Sequence, residues 1–267
     1  MRRYYIQFLV IISAALLLSS CATLPSYEEV TTFPKFPPGE EPLGYRKTVT
    51  HEVAPGETAW RISKMYDVDI GTIARANNLR DVSKLEMGQS IIIPNAAPIS
   101  PLISLYPSRK WRYIIIHHSA TEIGNALTFY RGHKRRGFIH GLGYHFLIDN
   151  GTRGKSDGQI EISPRWTKQQ KGAHCRASNM NIKAIGICLV GNFSKTKPTR
   201  KQMDSLVALV NTLRRYYRIP IGNIIGHGEV RGARTECPGS RFRWREFYRR
   251  LKTDREILKS VKGRRVG

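Results

Sequence analysis

The stretch WRYIIIHHSA, from Trp111 to Ala120, carries the strongest strand signal of this chain. It is a run of apolar, largely β-branched residues that ends in two adjacent histidines. A short apolar run without alternation predicts a strand buried on both faces of a sheet. The segments LGYHFLIDNGT and NIKAIGICLVGNF contain similar runs, and NIIGHGEV begins with a shorter one. The larger part of the chain is therefore expected to contain several buried strands.

Helical patterns lie between and after these strands. NALTFYRGHKRRG is amphipathic and closes at Gly137, and RWREFYRRLK predicts a last helix. A long helix with one apolar face is expected to begin at Thr199, whose hydroxyl suits the cap position. Strands that alternate with helices predict an α/β fold in which helices cover a sheet.

Candidate metal ligands stand just past the predicted strands or in loops. They are His117 or His118, His227 and Cys237. A catalytic zinc site needs three protein ligands drawn from histidine, cysteine and carboxylate, with a fourth position open. A histidine and a cysteine ten positions apart are weak evidence by themselves. The pattern leaves His117 and His118 as alternatives, because neighbouring strand residues point to opposite faces.

The amino terminus, MRRYYIQFLVIISAALLLSSC, predicts export. Its apolar run, Ile6–Leu18, is 13 residues long, shorter than the roughly 20 residues that span a bilayer. Residues 1–20 are therefore expected to be a signal peptide. The sequence LSSC resembles the lipobox of bacterial lipoproteins, which implies that Cys21 is lipidated; the alternative is an ordinary signal sequence with a chance cysteine. In such lipoproteins Ala22 implies the outer membrane, facing the periplasm.

The charge of the chain predicts an anionic partner. It has 44 Lys and Arg against 20 Asp and Glu, a formal net charge of +24. Such a protein is attracted to nucleic acid, acidic membranes or anionic wall polymer. Export argues against nucleic acid, and peptidoglycan, with carboxylates on its stem peptides, is the expected partner. The alternative is that much of the charge, including the basic tail at residues 253–267, only solvates the surface.

The sequence predicts roles for some of the four cysteines. They are Cys21, Cys175, Cys188 and Cys237. Lipidation of Cys21 leaves three, so at least one has no intramolecular disulfide partner. Cys188 lies in a predicted buried strand, where cysteine commonly packs as a small hydrophobe. Whether Cys175 pairs with it in an oxidising compartment stays open.

Residues 47–95 have a different organisation from the rest of the chain. A Pro-rich linker, residues 21–46, precedes them, and a second linker with three prolines, residues 96–108, follows. The order strand, helix, helix, strand and the motifs PGET, ARANNL and GQSIIIP resemble a LysM domain. This implies binding of glycans that contain N-acetylglucosamine. The groove would include Gly56, Glu57, Thr58 and Ala59 of the first turn, and Asn78 and Leu79 after the second helix. Trp60 and the run Ile91–Ile93 are expected in the core.

The remaining motifs resemble a second family. IIIHHSA, LGYHFLI, IGICLVGNF and GHGEV…TECPG occur in the order typical of type 2 N-acetylmuramoyl-L-alanine amidases, which include the animal peptidoglycan recognition proteins. The match extends from about Trp111 to Trp244. It implies a central mixed β-sheet flanked by helices over residues 109–252. It also implies a Zn²⁺ site whose ligands are His117, His227 and Cys237.

The same resemblance implies a reaction and further site residues. Zinc would activate water to cleave the amide between N-acetylmuramic acid and L-alanine. Tyr144 and Thr235 match catalytic partners and His174 a substrate-binding residue, although some relatives carry Glu in place of Tyr144, which leaves the general base open. The alternative function is a silent recognition protein that binds peptidoglycan without cleaving it. Relatives that lost activity typically lost the cysteine ligand, and Cys237 is present.

Overall fold

The computed structural model describes residues 45–100 and 102–251, together with the backbone of residues 30–32. The strands are β1 (Val30–Thr32), β2 (Lys47–Glu52), β3 (Ser90–Ala96), β4 (Ile103–Leu105), β5 (Tyr113–His118), β6 (Phe146–Asn150), β7 (Asp157–Ile162), β8 (Ala184–Leu189) and β9 (Ile224–Gly226). The helices are α1 (Ala59–Tyr66), α2 (Ile70–Ala76), α3 (Ala126–Arg135), α4 (Pro164–Thr167), α5 (Met180–Lys183), α6 (Arg200–Tyr216) and α7 (residues 244–251). Within the described ranges, no helix has the length and apolar character to span a bilayer. The predicted signal peptide, Cys21 and the tail at residues 253–267 lie outside the described residues.

Five strands form the central sheet, in the order β7-β6-β8-β5-β9. β6, β8, β5 and β9 run parallel to one another, whereas β7 pairs with β6 in the antiparallel direction. The inner strands read as continuous apolar runs because both of their faces are covered; all six residues of β8 are buried. The sheet is mixed and carries helices, which confirms the predicted fold class. The edge strand β7 was not predicted, since DGQIEI contains few apolar residues.

The two faces of the sheet carry different neighbours because side chains alternate along each strand. Ile114 and Ile116 belong to the large core beneath α6. His117 therefore points to the opposite face. Helix α6 begins as predicted: the Thr199 hydroxyl accepts the backbone N–H of Gln202, and the Gln202 side chain accepts the Thr199 N–H in return. This capping box defines the start of the helix.

The N-terminal domain, residues 47–96, is the predicted β-α-α-β unit. β2 and β3 pair antiparallel, and α1 and α2 lie between them in the chain. Each helix begins at a side-chain cap, Thr58 for α1 and Asp69 for α2. Its small core includes Ile62, Ile73, Ile91 and Ile93. The expectation that Trp60 and the whole run Ile91–Ile93 lie in this core was wrong in part, because the side chains of Trp60 and Ile92 are 49% and 46% exposed.

The segments expected to be linkers take part in structure. Val30–Thr32 pairs antiparallel with Ile103–Leu105, although the first segment showed no strand pattern in the sequence. The side chains of Leu102 and Ile103 are fully buried. Residues 102–105 are therefore part of the protein core, since their apolar side chains are more stable there than in water. The second linker does not hold the two domains apart.

A buried polar link joins the N-terminal domain to the C-terminal domain, residues 102–251. Lys155 Nζ donates a 3.0 Å hydrogen bond to the Glu52 carbonyl and lies 3.3 Å from Glu161 Oε2. Asn125 Nδ2 donates to Glu52 Oε2 at 3.2 Å. Glu161 Oε1 in turn accepts the Ala126 N–H, at 2.6 Å, in the first turn of α3. The N-terminal domain is thus hydrogen-bonded to residues that organise the larger sheet.

Candidate metal centre and active site

Three side chains converge at one edge of the central sheet. His117 lies near the carboxyl end of β5, His227 directly follows β9, and Cys237 lies in the next loop. Because β5 and β9 are parallel neighbours, their carboxyl ends meet at the same edge. One ligand atom from each of the three residues lies within 4.8 Å of the others. The structure therefore brings together the three predicted zinc ligands.

The His117 ring is fixed in one orientation. It is 1% exposed, and its Nε2 lies 3.0 Å from His174 Nδ1. Its other nitrogen, Nδ1, lies 3.7 Å from Cys237 Sγ, and the ring centroid is 4.7 Å from that of His227. His117 therefore presents Nδ1 to the cluster. Its neighbour His118 points elsewhere and accepts the Phe193 N–H on Nδ1, at 3.0 Å.

His174 lies beside His117 in the protein interior, and substrate binding by this residue stays a prediction. This residue was expected to bind substrate, but its ring is buried and both nitrogens have partners within the protein. Nδ1 faces His117 Nε2, and Nε2 lies 3.3 Å from the Ala184 carbonyl. The consistent proton arrangement has His174 donating from Nε2 to the carbonyl and accepting the His117 N–H on Nδ1. His174 thus sets the tautomer of His117 and leaves its Nδ1 lone pair free for a metal.

Sequence reasoning missed the residues that make room for this histidine pair. A Cβ at Gly172 or at Gly186 would lie 2.3 or 2.4 Å from the His174 ring. Asn181 Oδ1 accepts the backbone N–H groups of both His174 and Cys175, each at 2.8 Å. The glycine two positions before His174 was the visible signal for this close approach. The pairing with Gly186 on β8 was not visible in the sequence.

The loop that carries His227 and Cys237 is held by its own backbone. The Gly228 N–H donates to the Cys237 carbonyl at 2.7 Å, and Glu229 Oε2 accepts the Gly226 N–H at 2.7 Å. A Cβ at Gly228 would lie 2.5 Å from the Thr235 carbonyl, so only glycine permits this approach. Through its hydrogen bond to the Gly226 N–H, the Glu229 carboxylate stabilises the turn that positions His227.

Tyr144 and Thr235 occupy different surroundings beside the cluster. The Tyr144 ring centroid is 5.1 Å from that of His117, and burial raises the pKa of its hydroxyl well above the usual value. Tyr144 therefore keeps its proton and can donate a hydrogen bond. Thr235 is exposed, and its Oγ1 accepts the Cys237 N–H at 3.2 Å. The Thr235 hydroxyl proton is then free for another acceptor.

The donor set fits a zinc ion. Burial lowers the pKa of His117 and of His227, which keeps both imidazoles neutral and able to bind a cation. Burial also raises the pKa of the Cys237 thiol to about 11, so a bound cation is needed to stabilise the thiolate. Two nitrogens and one sulfur match the three protein ligands of catalytic zinc sites.

The predicted glycan-binding turn of the N-terminal domain is only partly accessible. Gly56 and Thr58 are exposed, but the Glu57 side chain is 6% exposed and bonds to His51 Nε2 at 2.8 Å. The side chain of Ala59 is buried. The side chains of Glu57 and Ala59 therefore stabilise the turn, and glycan binding by the turn itself stays a prediction.

The remaining cysteines do not form a disulfide. Cys175, Cys188 and Cys237 are all free and buried. Cys175 packs beside Ile115 and Met180, whereas Cys188 packs with Leu147 in a separate cluster. The disulfide between Cys175 and Cys188, left open by the sequence, is absent from the structure.

Comparison with known families assigns both parts of the chain. Residues 107–240 match the N-acetylmuramoyl-L-alanine amidase family, and residues 51–94 match the LysM domain. The first match covers half of the chain and includes the three clustered ligands. The fold and the cluster thus define a hydrolase-type α/β domain joined to a glycan-binding type of module. The chain belongs to the N-acetylmuramoyl-L-alanine amidase family and carries an N-terminal LysM domain.

Individual proteins show the same relationship. The chain is 31% identical over 108 residues to Peptidoglycan-recognition protein 2 of Holotrichia diomphalia, a match that spans 38% of this chain and only 52% of that protein. It is 30% identical to Peptidoglycan-recognition protein SC2 of Drosophila melanogaster, over 51% of this chain and 71% of that protein. Among solved structures, an N-acetylmuramoyl-L-alanine amidase of Clostridium intestinale is 32% identical, covering 54% of this chain and 84% of that one, with a TM-score of 0.45.

Proposed function

We propose that this protein is a zinc-dependent N-acetylmuramoyl-L-alanine amidase that cleaves peptidoglycan during wall remodelling or turnover. The observation that carries the proposal is the convergence of His117, His227 and Cys237, with the Nε2 of His117 held by His174. A complete set of three donors with an oriented histidine is what a catalytic zinc needs. Membership of the amidase family supports the substrate and the bond.

The chemistry divides between the metal and the protein. A bound zinc ion would act as a Lewis acid that polarises the scissile carbonyl and lowers the pKa of water, so that hydroxide is available as the nucleophile at neutral pH. His117 and His227 hold neutral imidazoles toward the ion. Tyr144, which keeps its proton, donates a hydrogen bond to the oxygen that gains charge, and the free Thr235 hydroxyl proton is a second donor. Among the described residues, the cluster contains no carboxylate that could act as a general base.

A silent recognition protein is the second candidate, because animal recognition proteins are among the relatives. Recognition alone does not require a metal-binding trio, and the chain retains all three donors, including Cys237. This observation favours the enzyme.

Wall targeting and export complete the proposal. The LysM domain raises the concentration of the catalytic domain on glycan strands, and the charge of +24 favours the carboxylates of stem peptides. We further propose a signal peptide at residues 1–20 and lipidation of Cys21, which would hold the protein at the outer membrane facing the periplasm.

Digestion of purified peptidoglycan tests this function. The wild-type protein should release peptides that begin with L-alanine and leave glycan strands with free lactyl groups, both identified by mass spectrometry. Cys237→Ala should release none, yet should still sediment with insoluble wall material through the LysM domain. Zinc-loaded wild-type protein that binds the wall without releasing peptides would instead support the silent alternative.

A further inference from the structure

A cleft of about 470 Å³ lies at the edge of the sheet opposite the metal centre. Its lining comes from the segment before β5, the end of α6 and the segment before β9. Because β5 and β9 are parallel, these segments lie at their amino ends, whereas His117 and His227 lie at or just past their carboxyl ends. A strand of six residues is about 20 Å long. The cleft and the metal centre therefore face opposite ends of the domain.

The chemistry of the cleft suits a phosphate group. Three exposed arginines line it, Arg109, Arg112 and Arg218, and its lining contains no acidic residue. Within the described ranges, their guanidinium groups make no hydrogen bond and no ion pair, so their donors are available. Ser108, whose Oγ accepts the Lys110 N–H at 3.3 Å, can still donate from its hydroxyl. Guanidinium forks match phosphate oxygens in geometry as well as charge.

The path of the chain places this cleft on the side from which the proposed lipid anchor arrives. Val30 is the backbone partner of Leu105 in the antiparallel β1–β4 pair. Leu105 is three positions before Ser108, and Cys21 is nine positions before Val30. Nine residues span at most about 30 Å. A lipid on Cys21 would therefore hold the cleft within reach of the membrane surface.

We propose that this arginine cleft binds the phosphate groups of anionic phospholipids in the membrane that holds the protein. The inference rests on the lipid anchoring given under the proposed function. Binding there turns the amino edge of the sheet toward the membrane. The metal centre at the opposite edge then faces outward, toward the wall polymer. A tethered enzyme without this contact would present its metal centre in all directions.

The test measures orientation on bilayers. The full chain is reconstituted into nanodiscs of phosphatidylcholine, alone or with about a quarter phosphatidylglycerol, a content that gives an anionic surface. A fluorophore is placed at Pro107→Cys, beside the cleft, or at Lys197→Cys, near the opposite edge; both positions are exposed. Quenching by headgroup-labelled lipid reports which edge lies closer. On anionic discs, the label at position 107 should be quenched several-fold more than the label at position 197.

Charge variants separate the cleft from the overall charge. The triple variant Arg109→Gln, Arg112→Gln, Arg218→Gln should lose the difference between the two labels, and the matching Arg→Lys triple should retain much of it. The control triple Lys195→Gln, Arg200→Gln, Lys201→Gln removes the same charge from exposed positions elsewhere and should keep the difference. Equal quenching of both labels in the wild type, or equal loss in both glutamine triples, would overturn the proposal.

Two further measurements separate membrane binding by the cleft from binding of free phosphate and from the proposed enzymatic activity. Arginine-dependent binding of inorganic phosphate, with no orientation on anionic discs, would assign the cleft to free phosphate and contradict the membrane contact. Hydrolysis of a soluble muropeptide is measured on the same glutamine triple and should equal that of the wild type. If the wild-type protein does not hydrolyse the muropeptide, the proposed enzymatic function is contradicted. The quenching difference between the two labels would still show whether the cleft binds the membrane.

Discussion

A histidine pair governs the geometry of the metal centre. A neutral His117 can present Nδ1 to a metal only if its Nε2 carries the proton. That N–H donates a 3.0 Å hydrogen bond to His174 Nδ1. The Ala184 carbonyl fixes the tautomer of His174 in turn. The candidate site therefore depends on a residue outside the cluster of His117, His227 and Cys237.

Replacing His174 should weaken zinc binding. His174→Ala removes the acceptor for His117 and frees its ring to rotate, so the affinity for zinc should fall by about 10–100-fold. Competition with a chelator of known zinc affinity measures the change. His174→Asn, which keeps an acceptor near the position of Nδ1, should recover part of the loss. An unchanged affinity in His174→Ala would show that His117 is oriented by other contacts.

A second buried histidine should make the stability depend on pH. His145 accepts the Gly186 N–H on Nδ1 and contacts the Gln170 carbonyl through Nε2, so only its neutral form satisfies both bonds. Burial lowers its pKa to about 3, whereas an unfolded histidine has a pKa of about 6.5. Its contribution is present above about pH 6.5 and is lost as the pH falls toward 3, because the unfolded chain then binds the extra proton.

Urea unfolding between pH 7 and pH 4 measures this effect. The free energy of unfolding should fall with decreasing pH, with His145 contributing at most about 1.4 kcal/mol per pH unit. His145→Gln cannot titrate and should show a shallower fall, whatever its stability at pH 7. Parallel curves for the wild type and the variant would exclude His145 as a source of the slope.

Secondary-structure elements from both domains meet at Lys155. It lies in the loop between β6 and β7, contacts Glu161 on β7 and reaches the end of β2. On the same side of the sheet, both carboxyl oxygens of the β6 residue Asp149 lack a hydrogen-bond partner in the described structure. Burial raises the pKa of Asp149 well above its usual value, which keeps it neutral. Lys155 is therefore the cation that balances the buried Glu161 carboxylate, while Asp149 carries no charge.

Removing the lysine should destabilise both the sheet edge and the domain contact. Lys155→Met leaves Glu161 without its buried cation, and breaking such a pair costs about 3–5 kcal/mol. Urea unfolding of the full chain measures the loss, with Lys201→Met, an exposed position, as the control that should change little. A loss of under about 1 kcal/mol would mean that water or a protonated carboxyl replaces the lysine.

Much of this arrangement could be predicted from the sequence, and the exceptions have physical causes. Continuous apolar runs predicted β5, β6 and β8, and the Thr199 hydroxyl predicted the start of α6. β7 was not predicted because its sequence, DGQIEI, has no clear strand pattern. It forms a strand through pairing with β6, and a local sequence pattern does not reveal such pairing. The residue pattern alone left His117 and His118 as alternative metal ligands, and only the resemblance to the amidase family selected His117. The role of His174 depended on a contact 57 positions away.

The molecule as a whole combines a LysM domain, a candidate metal centre and a basic cleft on one scaffold. The LysM domain is hydrogen-bonded to the C-terminal domain through Lys155 and Asn125, so it is not merely tethered by a linker. The metal centre and the arginine cleft occupy opposite edges of one sheet.

Zinc titration of the metal-free protein tests the central claim most directly. The wild-type chain is stripped by a chelator, and the release of peptides beginning with L-alanine from peptidoglycan is followed as zinc is returned. Release should be absent without metal, rise in proportion to zinc and reach a plateau at one equivalent per chain, because one cluster of three donors is present among the described residues. Cys237→Ala should show no rise at these concentrations. Peptide release by the metal-free protein, or no release at any zinc concentration, would contradict the assignment of a zinc amidase.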